Sequence, residues 1–382
     1  VATDLHILAP ELWEEGPAFD ALLAATDGKV VREAAAVLRG LEQAVRRESP
    51  DFLLLAGDLT FNGARASHEL IAQALARIEA SGVEVYVTAG NHDISNPWAM
   101  RYAGTEGEAA LPVSPAEFRE IYAAFGYAQA VSVHEESLAY LAEAAPGLRL
   151  AMLDSNMYAR NLENGYPEGR GAISAGQRRW VETRLAAARQ AGEAVLPLMH
   201  HSLLSHRRGG GGRPFGRSWI DLWPRFARLF WDAGAPVVLT GHAHEQDIAG
   251  LRGEQGEWVY DIATGSLGSY PHPYRILRIE PGGHMEVESR RLTAADFADG
   301  AAFLERSRRR YLTRFAERLG PRLAERYGLD AAEGYERARR IALEGLSGAR
   351  GGDPPPAGNE ITIDLRSGRW VPAPGGGAYP AR

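Results

Sequence analysis

The chain has 382 residues, with 49 acidic against 42 basic side chains, a formal charge of −7, a hydrophobic fraction of 45% and no cysteine. Disulfides and thiolate metal sites are excluded, and the acidic balance argues against a general nucleic-acid binder, which is usually basic. The length suits two or three domains or one large unit with additions, and no apolar run reaches the roughly 18 residues that a membrane span needs.

A first strand is predicted to run into Asp4-Leu5-His6. Only Val1-Ala2-Thr3 precede Asp4, so that strand looks clipped. The expectation is an upstream signal or lipid anchor, removed here, and an extracytoplasmic or lipid-anchored protein; otherwise a cytoplasmic one. Residues 30–47 carry apolar positions at helical spacing. Phe52-Leu53-Leu54-Leu55-Ala56 reads as a buried strand ending at Gly57-Asp58. Ser67 is placed as the N-cap of a helix through Ala80. Val83–Thr88 is a strand leading to Gly90-Asn91-His92-Asp93. The pattern repeats: strand Leu148–Leu153 before Asp154-Ser155-Asn156, helix Gln177–Ala191, strand Val195–Met199 before His200-His201, helix Ile220–Asp232, and strand Pro236–Leu239 before Gly241-His242-Ala243-His244. Val259–Ala263 and Tyr274–Ile279 are later strands. Open α/β sheets place ligand sites at such carboxyl ends.

From Ala294 the texture becomes rich in Ala, Arg, Glu and Leu, with helical periodicity interrupted at Gly320-Pro321 and Gly328. The division read from this is a catalytic unit over 1–293, a helical unit over 294–350, and a linker and tail over 351–382. Ile361–Leu365 is a strand-like piece able to pair with a sheet edge.

The polar ends of these strands carry the chemistry. Asp4, His6, Asp58, Asn91, His200, His242 and His244 form an ordered carboxylate, imidazole and amide inventory suited to two hard or borderline divalent ions. Alternate residues at a strand end project to one side, so Asp4 and His6 are expected to reach one ion together. A single carboxylate such as Asp58 can serve two ions. Each motif alone is an ordinary turn or cap; the ordered set is specific.

Over residues 1–280 the order D-x-H, GD, GNHD, H, GHxH resembles the calcineurin-like metallophosphoesterase family. The resemblance implies a four-layer α-β-β-α sandwich, here followed by a C-terminal helical unit. It implies a first ion (Mn, Fe or Zn) on Asp4, His6, Asp58 and His244, and a second on Asp58, Asn91, His200 and His242. His92 would contact phosphate and protonate the leaving oxygen, with Asp93 orienting it, while a metal-bridging hydroxide attacks in line. Gly57-Asp58-Leu59-Thr60-Phe61-Asn62-Gly63 and Gly90-Asn91-His92-Asp93-Ile94-Ser95-Asn96-Pro97 are similar to a bacterial branch described as cyclic-nucleotide phosphodiesterase-like. Against compact members, residues 9–29 read as an inserted loop.

The expected function is therefore a phosphodiesterase acting on a small phosphoester, cyclic nucleotides leading. The alternatives are a broad-specificity phosphomonoesterase or nuclease, or a non-catalytic interaction protein on the same fold. Neither a stable nucleic-acid partner nor a membrane span is expected, and the oligomeric state stays open. His201, His206 and Arg207 are candidate substrate contacts, the last two in an Arg-rich loop before and around four glycines. His68 is taken as structural, Asp154-Ser155-Asn156 as a possible support, and Asp247 and Asp261 receive no role.

Overall fold

In the computed structural model, residues 1–26, 28–206, 218–253, 256–280, 283–346, 361–365 and 369–370 are described. Two sheets face one another. In the first, strand Phe52–Ala56 pairs in parallel with Glu84–Thr88. The N-terminal residues lie along its other side: Ala2 N donates to Leu54 O and Ala56 N to Ala2 O. Arg275 N donates to Val1 O, which joins Pro273–Ile279 to the same surface. That strand continues antiparallel through His284–Arg291 to Ile361–Asp364. The second sheet has seven strands. Val237–Thr240, Ala194–Leu198 and Leu148–Met152 form its parallel centre with Trp258–Ala263. Tyr140–Ala145, Ala130–Val133 and Asp247–Arg252 are antiparallel additions.

The period-two alternation of side chains along a strand explains the layers. Leu54, Ala56 and Tyr86 point inward and meet Leu196, Leu198, Leu239 and Met285 between the sheets. Leu53, Leu55, Val85 and Val87 point outward and pack against Val37, Leu41, Ile71 and Leu75 of helices Ala34–Glu48 and Arg65–Glu79. On the far side, Val195 and Val238 meet Val181, Leu185, Phe226 and Phe230 of helices Ala175–Gln190 and Trp223–Ala233. The result is the four-layer α-β-β-α sandwich. Strands covered on both faces lack a polar side, which is why they read as unbroken apolar runs. Each such side chain contributes about 1.5–3 kcal/mol on burial.

Several expectations are corrected. The first strand is reduced to isolated bridges, Ala2 with Leu55 and Ile7 with Thr60. Asp4 and His6 have φ of 52° and 48°, so the segment coils between the bridges. Ser67 does not cap: the helix begins at Arg65 after Ala64, and Ser67 Oγ accepts from Ala9 N at 3.0 Å. Residues 9–29 are not an open loop, since they include helix Pro17–Ala25, with Phe19 buried and stacked on Trp13 at 4.3 Å. Gly320-Pro321 does not interrupt the long helix Ala301–Tyr327. Gly320 instead permits close approach of helix Ala331–Leu346, because a Cβ there would lie 2.9 Å from Tyr335 Cδ2. The helical stretch after residue 294 packs against the first sheet. Phe303 belongs to the core of the first sheet, and Ser307 Oγ bonds His272 Nε2 at 2.9 Å. Ile361–Asp364 does pair with a sheet edge, so part of the tail belongs to the sandwich.

Candidate metal centre

The loops at the carboxyl ends of both sheets meet over the inter-sheet core. Asp4, His6 and His244 form one cluster, and Asp58, His200 and His242 another; Asp58 also groups with His6 and His92. Asp58 Oδ2 lies 3.8 Å from His6 Nε2, 3.4 Å from His200 Nε2 and 3.9 Å from His92 Nε2. Asn91 Oδ1 sits between His200 Nε2 at 3.2 Å and His242 Nδ1 at 3.1 Å. Asp4 Oδ1 is 3.0 Å from His244 Nε2 and 3.7 Å from His6 Nε2. The structure thus gathers all seven sequence-derived candidates around Asp58.

Each carboxylate has one oxygen tied down and one presented. Asp4 Oδ2 accepts from Thr3 Oγ1 at 2.7 Å and His242 N at 3.0 Å. Asp58 Oδ1 accepts from His92 N at 2.8 Å. His200 donates Nδ1–H to Ala56 O at 2.8 Å, since a carbonyl only accepts, and this turns Nε2 toward the cluster. The backbone carries strain at the same places. Asp4, His6, Asp58, His242 and His244 are all in the left-handed region, with φ of 52°, 48°, 48°, 59° and 55°. Non-glycine residues there cost of order 1–3 kcal/mol each and concentrate at functional sites. The convergence of Asp4 with His6, and of His242 with His244, therefore comes from coiled loops rather than strand alternation. Glycine is required where loops touch: a Cβ on Gly90 would fall 2.2 Å from Asp58 Oδ1, and one on Gly241 2.7 Å from Asp4 Oδ2.

Burial and charge set the protonation states. Burial holds His6 well below its usual range, and burial with His200 nearby takes His242 down to about 3. Both are then neutral, as metal ligation requires. Burial opposes the charge on His200, but Asp58 outweighs it and raises the imidazole to about 9. Burial likewise opposes ionisation of Asp58, and His200 and His92 overcome it, holding the carboxyl well below its usual range. The residues fit a divalent-metal site on a further observation. Asp4 Oδ1 is buried and, although His244 Nε2 approaches it at 3.0 Å, has no hydrogen bond of good geometry among the described residues, a costly arrangement unless a cation completes it.

Around these residues the structure reassigns several side chains. Asp93 does not touch the His92 ring. Its carboxylate accepts from Gly90 N, Leu59 N, Thr60 N and Thr60 Oγ1 at 2.8–3.1 Å. A fully buried carboxylate three residues from a tight Gly90 turn is better satisfied by backbone donors than by one ring. His92 instead places Nδ1 on Phe61 O at 2.9 Å. His201 is fully buried, held by Ser155 Oγ at 2.9 Å and packed 4.3 Å from the His242 ring, so it supports the site from behind and is not open to substrate. His206 is buried between Asp247 Oδ2 at 3.0 Å and Asp261 Oδ2 at 3.1 Å, not displayed on a loop. Arg207 lies outside the described residues.

Sequence reasoning passed over Asp261. Its Oδ2 accepts Leu203 N at 2.6 Å and Leu204 N at 2.8 Å, and its Oδ1 accepts Thr240 Oγ1 at 2.5 Å. It thereby ties the loop after His200 to the loop before His242. The available signal was a lone acidic residue inside the apolar run Val259–Ala263. His68, fully buried between Tyr122 Oη and Asp93 O, is structural as expected.

The sequence profile of calcineurin-like phosphoesterases matches residues 1–246. The chain belongs to that family. Calcineurin-like phosphoesterases depend on a dinuclear metal centre, and this one carries the candidate Asp and His groups for it. No curated protein matches the chain significantly in sequence. Solved structures that it resembles include a dimetal phosphatase from Danio rerio, at 16% identity and a TM-score of 0.49, covering 69% of this chain and 88% of that one. A purple acid phosphatase from yellow lupin seeds matches at 15% identity and 0.43, covering 69% and 47%. A putative 5'-nucleotidase from Staphylococcus aureus matches at 12% and 0.38, covering 75% and 49%. Among the described residues no helix is long and apolar enough to cross a membrane.

Proposed function

We propose that this calcineurin-like phosphoesterase is a phosphodiesterase, with cyclic nucleotides as the leading substrate class. On this reading Asp4, His6, Asp58 and His244 hold one divalent ion, and Asp58, Asn91, His200 and His242 hold the other. When bound, the two ions supply Lewis acidity toward phosphate oxygens and lower the pKa of bound water. Asp58 is shared because its Oδ2 faces both histidine groups while Oδ1 is occupied by His92 N.

The observation that carries catalysis over mere metal storage is His92. Its Nδ1 is committed to the Phe61 carbonyl, so Nε2 is the atom free to give or take a proton. Its side chain is 27% exposed, open like that of His244 at 32% and unlike the closed-off His6 and His200. Nε2 lies 3.9 Å from Asp58 Oδ2 on a partly exposed ring, a placement suited to a general acid for a departing oxygen. Asp93 contributes at one remove, by fixing the Asp58 and Asn91 loops to each other.

The finer reading, the bacterial cyclic-nucleotide phosphodiesterase-like branch, is supported by the extended motif around Asp58 and by Ile94-Ser95-Asn96-Pro97 after Asp93. We also take residues 1–293 as the unit that carries activity and 294–350 as an accessory helical unit.

Metal analysis (testing Mn, Fe and Zn), paired with hydrolysis of bis- and mono-p-nitrophenyl phosphate and of cyclic nucleotides, tests the proposal. Diester turnover above monoester turnover, lost in Asp58→Ala and His92→Ala with metal retained in the latter, is expected. Monoester turnover in excess would replace the phosphodiesterase by a phosphomonoesterase. Full metal occupancy without hydrolysis of any of these would leave a binding protein.

A further inference from the structure

Most large apolar side chains are buried, and the few exposed aromatic ones differ in what covers them. Tyr327 lies under the Arg337 guanidinium, 4.1 Å from its ring centre, in the helical hairpin. Trp98 and Tyr166 are 50% and 47% exposed, and Trp98 Nε1 donates at 3.2 Å to the carbonyl of Gly165, the residue before Tyr166.

Trp98 is tied through hydrogen bonds to the loop that carries His92. Trp98 follows His92 by six residues, and the intervening turn is rigid. Asn96, fully buried, donates to His92 O at 2.9 Å and accepts from Trp98 N at 2.9 Å. Asn62, next to the Phe61 that holds His92, donates to Trp98 O at 3.1 Å. The strip of residues 156–171, which carries Gly165 and Tyr166, is pinned to the same ligand loops at both ends. Asn156 Nδ2 donates to Ala89 O at 2.8 Å, just before Gly90-Asn91, and Asn161 Nδ2 to Ile94 O at 3.3 Å. At its far end Gly171 lies against His201, whose ring packs on His242. The strip therefore runs from the His92 side to the His242 side, and its exposed apolar members, Leu162 and Tyr166, lie between these anchors.

We propose that Trp98, with Tyr166 beside it, is a stacking subsite for the aromatic group of the substrate, so that the enzyme selects phosphoesters bearing a planar aromatic moiety. A half-exposed indole costs solvation, and holding its ring and backbone by three hydrogen bonds fixes a flat apolar face in advance of binding. Stacking one base on such a face is selective for planarity and tolerant of identity. This inference rests on the phosphoesterase reading and adds to it the residue that would select an aromatic substrate.

The test is calorimetric and does not depend on turnover. The metal-loaded protein is titrated with adenosine 5'-phosphonate and with ribose 5-phosphonate, whose C–P bonds resist hydrolysis and which differ only in the base. Tighter binding of the adenosine compound by roughly tenfold is expected in the wild type. In Trp98→Ala that ratio falls to within about twofold while ribose phosphonate affinity stays the same; in Trp98→Phe, which keeps a ring and loses the bond to Gly165, most of the ratio returns. Equal affinities in the wild type, or an unchanged ratio in Trp98→Ala, overturn the subsite alone. A Trp98→Phe protein as impaired as Trp98→Ala overturns it too, by making the Gly165 bond responsible. Failure of both phosphonates to bind overturns the subsite and counts against phosphomonoester recognition at the metal centre, leaving diester hydrolysis to the turnover assays.

Discussion

The two sheets build their halves of the site around one buried carboxylate each, and those carboxylates live in opposite surroundings. On the first sheet Asp93 gathers Leu59, Thr60 and Gly90, so it ties the Asp58 loop to the Asn91 loop. On the second, Asp261 gathers Leu203, Leu204 and Thr240, so it ties the His200 loop to the His242 loop. Asp93 has another carboxylate for a neighbour: burial, and then Asp58, push it up to about 7 despite its hydrogen bonds. Asp261 has an imidazole for a neighbour. Burial opposes the charge on His206, but Asp261 and Asp247 raise it to about 10. The same loop-tying task is thus performed once by a carboxyl near neutrality and once by an ion pair. Backbone donors are what both halves require; the charge balance is set by whatever else is buried nearby.

The largest effect belongs to the residue between the halves. Asp58→Ala is expected to abolish paired metal binding and lower phosphoester hydrolysis by about three orders of magnitude. Metal content together with bis-p-nitrophenyl phosphate turnover measures this, and retention of both ions would separate the halves into independent sites. Next come the two tying carboxylates. Asp93→Ala and Asp261→Ala should each weaken metal affinity by about 10–100-fold, as removal of supporting hydrogen bonds around ligands does. Competition titrations with a chelating dye would show it. If only Asp93→Ala responds, the equivalence drawn here fails.

A pH experiment then distinguishes the halves. The His206 pKa is raised on folding, so its contribution is fully present below about pH 6.5 and is lost as pH rises toward about 10. Denaturant unfolding of the metal-free protein should show stability declining across that window, and His206→Gln should flatten the decline. An unaltered slope would mean that the pair contributes nothing specific to the second half. The smallest effect is expected far from the site. Gly320→Ala inserts a methyl against Tyr335 and should cost about 1–3 kcal/mol by overpacking. Phosphoester turnover should stay within about twofold, judged at temperatures below unfolding; a larger loss would tie the helical hairpin to the chemistry.

Much of this was legible beforehand. The apolar runs that became central strands and the polar residues at their carboxyl ends stand in the chain in the order in which the fold uses them. The antiparallel additions Ala130–Val133, Tyr140–Ala145 and Asp247–Arg252 were not anticipated. They are edge or near-edge strands with mixed polarity, which gives no continuous apolar signal. His206 was misread because its neighbours, four glycines and several arginines, have the composition of an exposed loop, whereas its burial depends on Asp247 and Asp261, which follow more than forty residues later. Asp93 was placed in the right motif and given the wrong contact. Adjacency to His92 suggests a pair, yet successive side chains diverge and the carboxylate turns inward to backbone donors.

What the sequence determined by itself was the donor inventory and the layer pattern, because both are local: a residue type at a strand end, and a period of two or 3.6 along an element. What only the tertiary structure decided was geometry. It set which carboxylate oxygen is tied and which is offered, and it coiled five of the candidate ligands into left-handed conformations. It also recruited Asp261 to brace two loops that share no local pattern. Those features depend on contacts between segments dozens to hundreds of residues apart, and a chain acquires them only once its sheets have packed face to face.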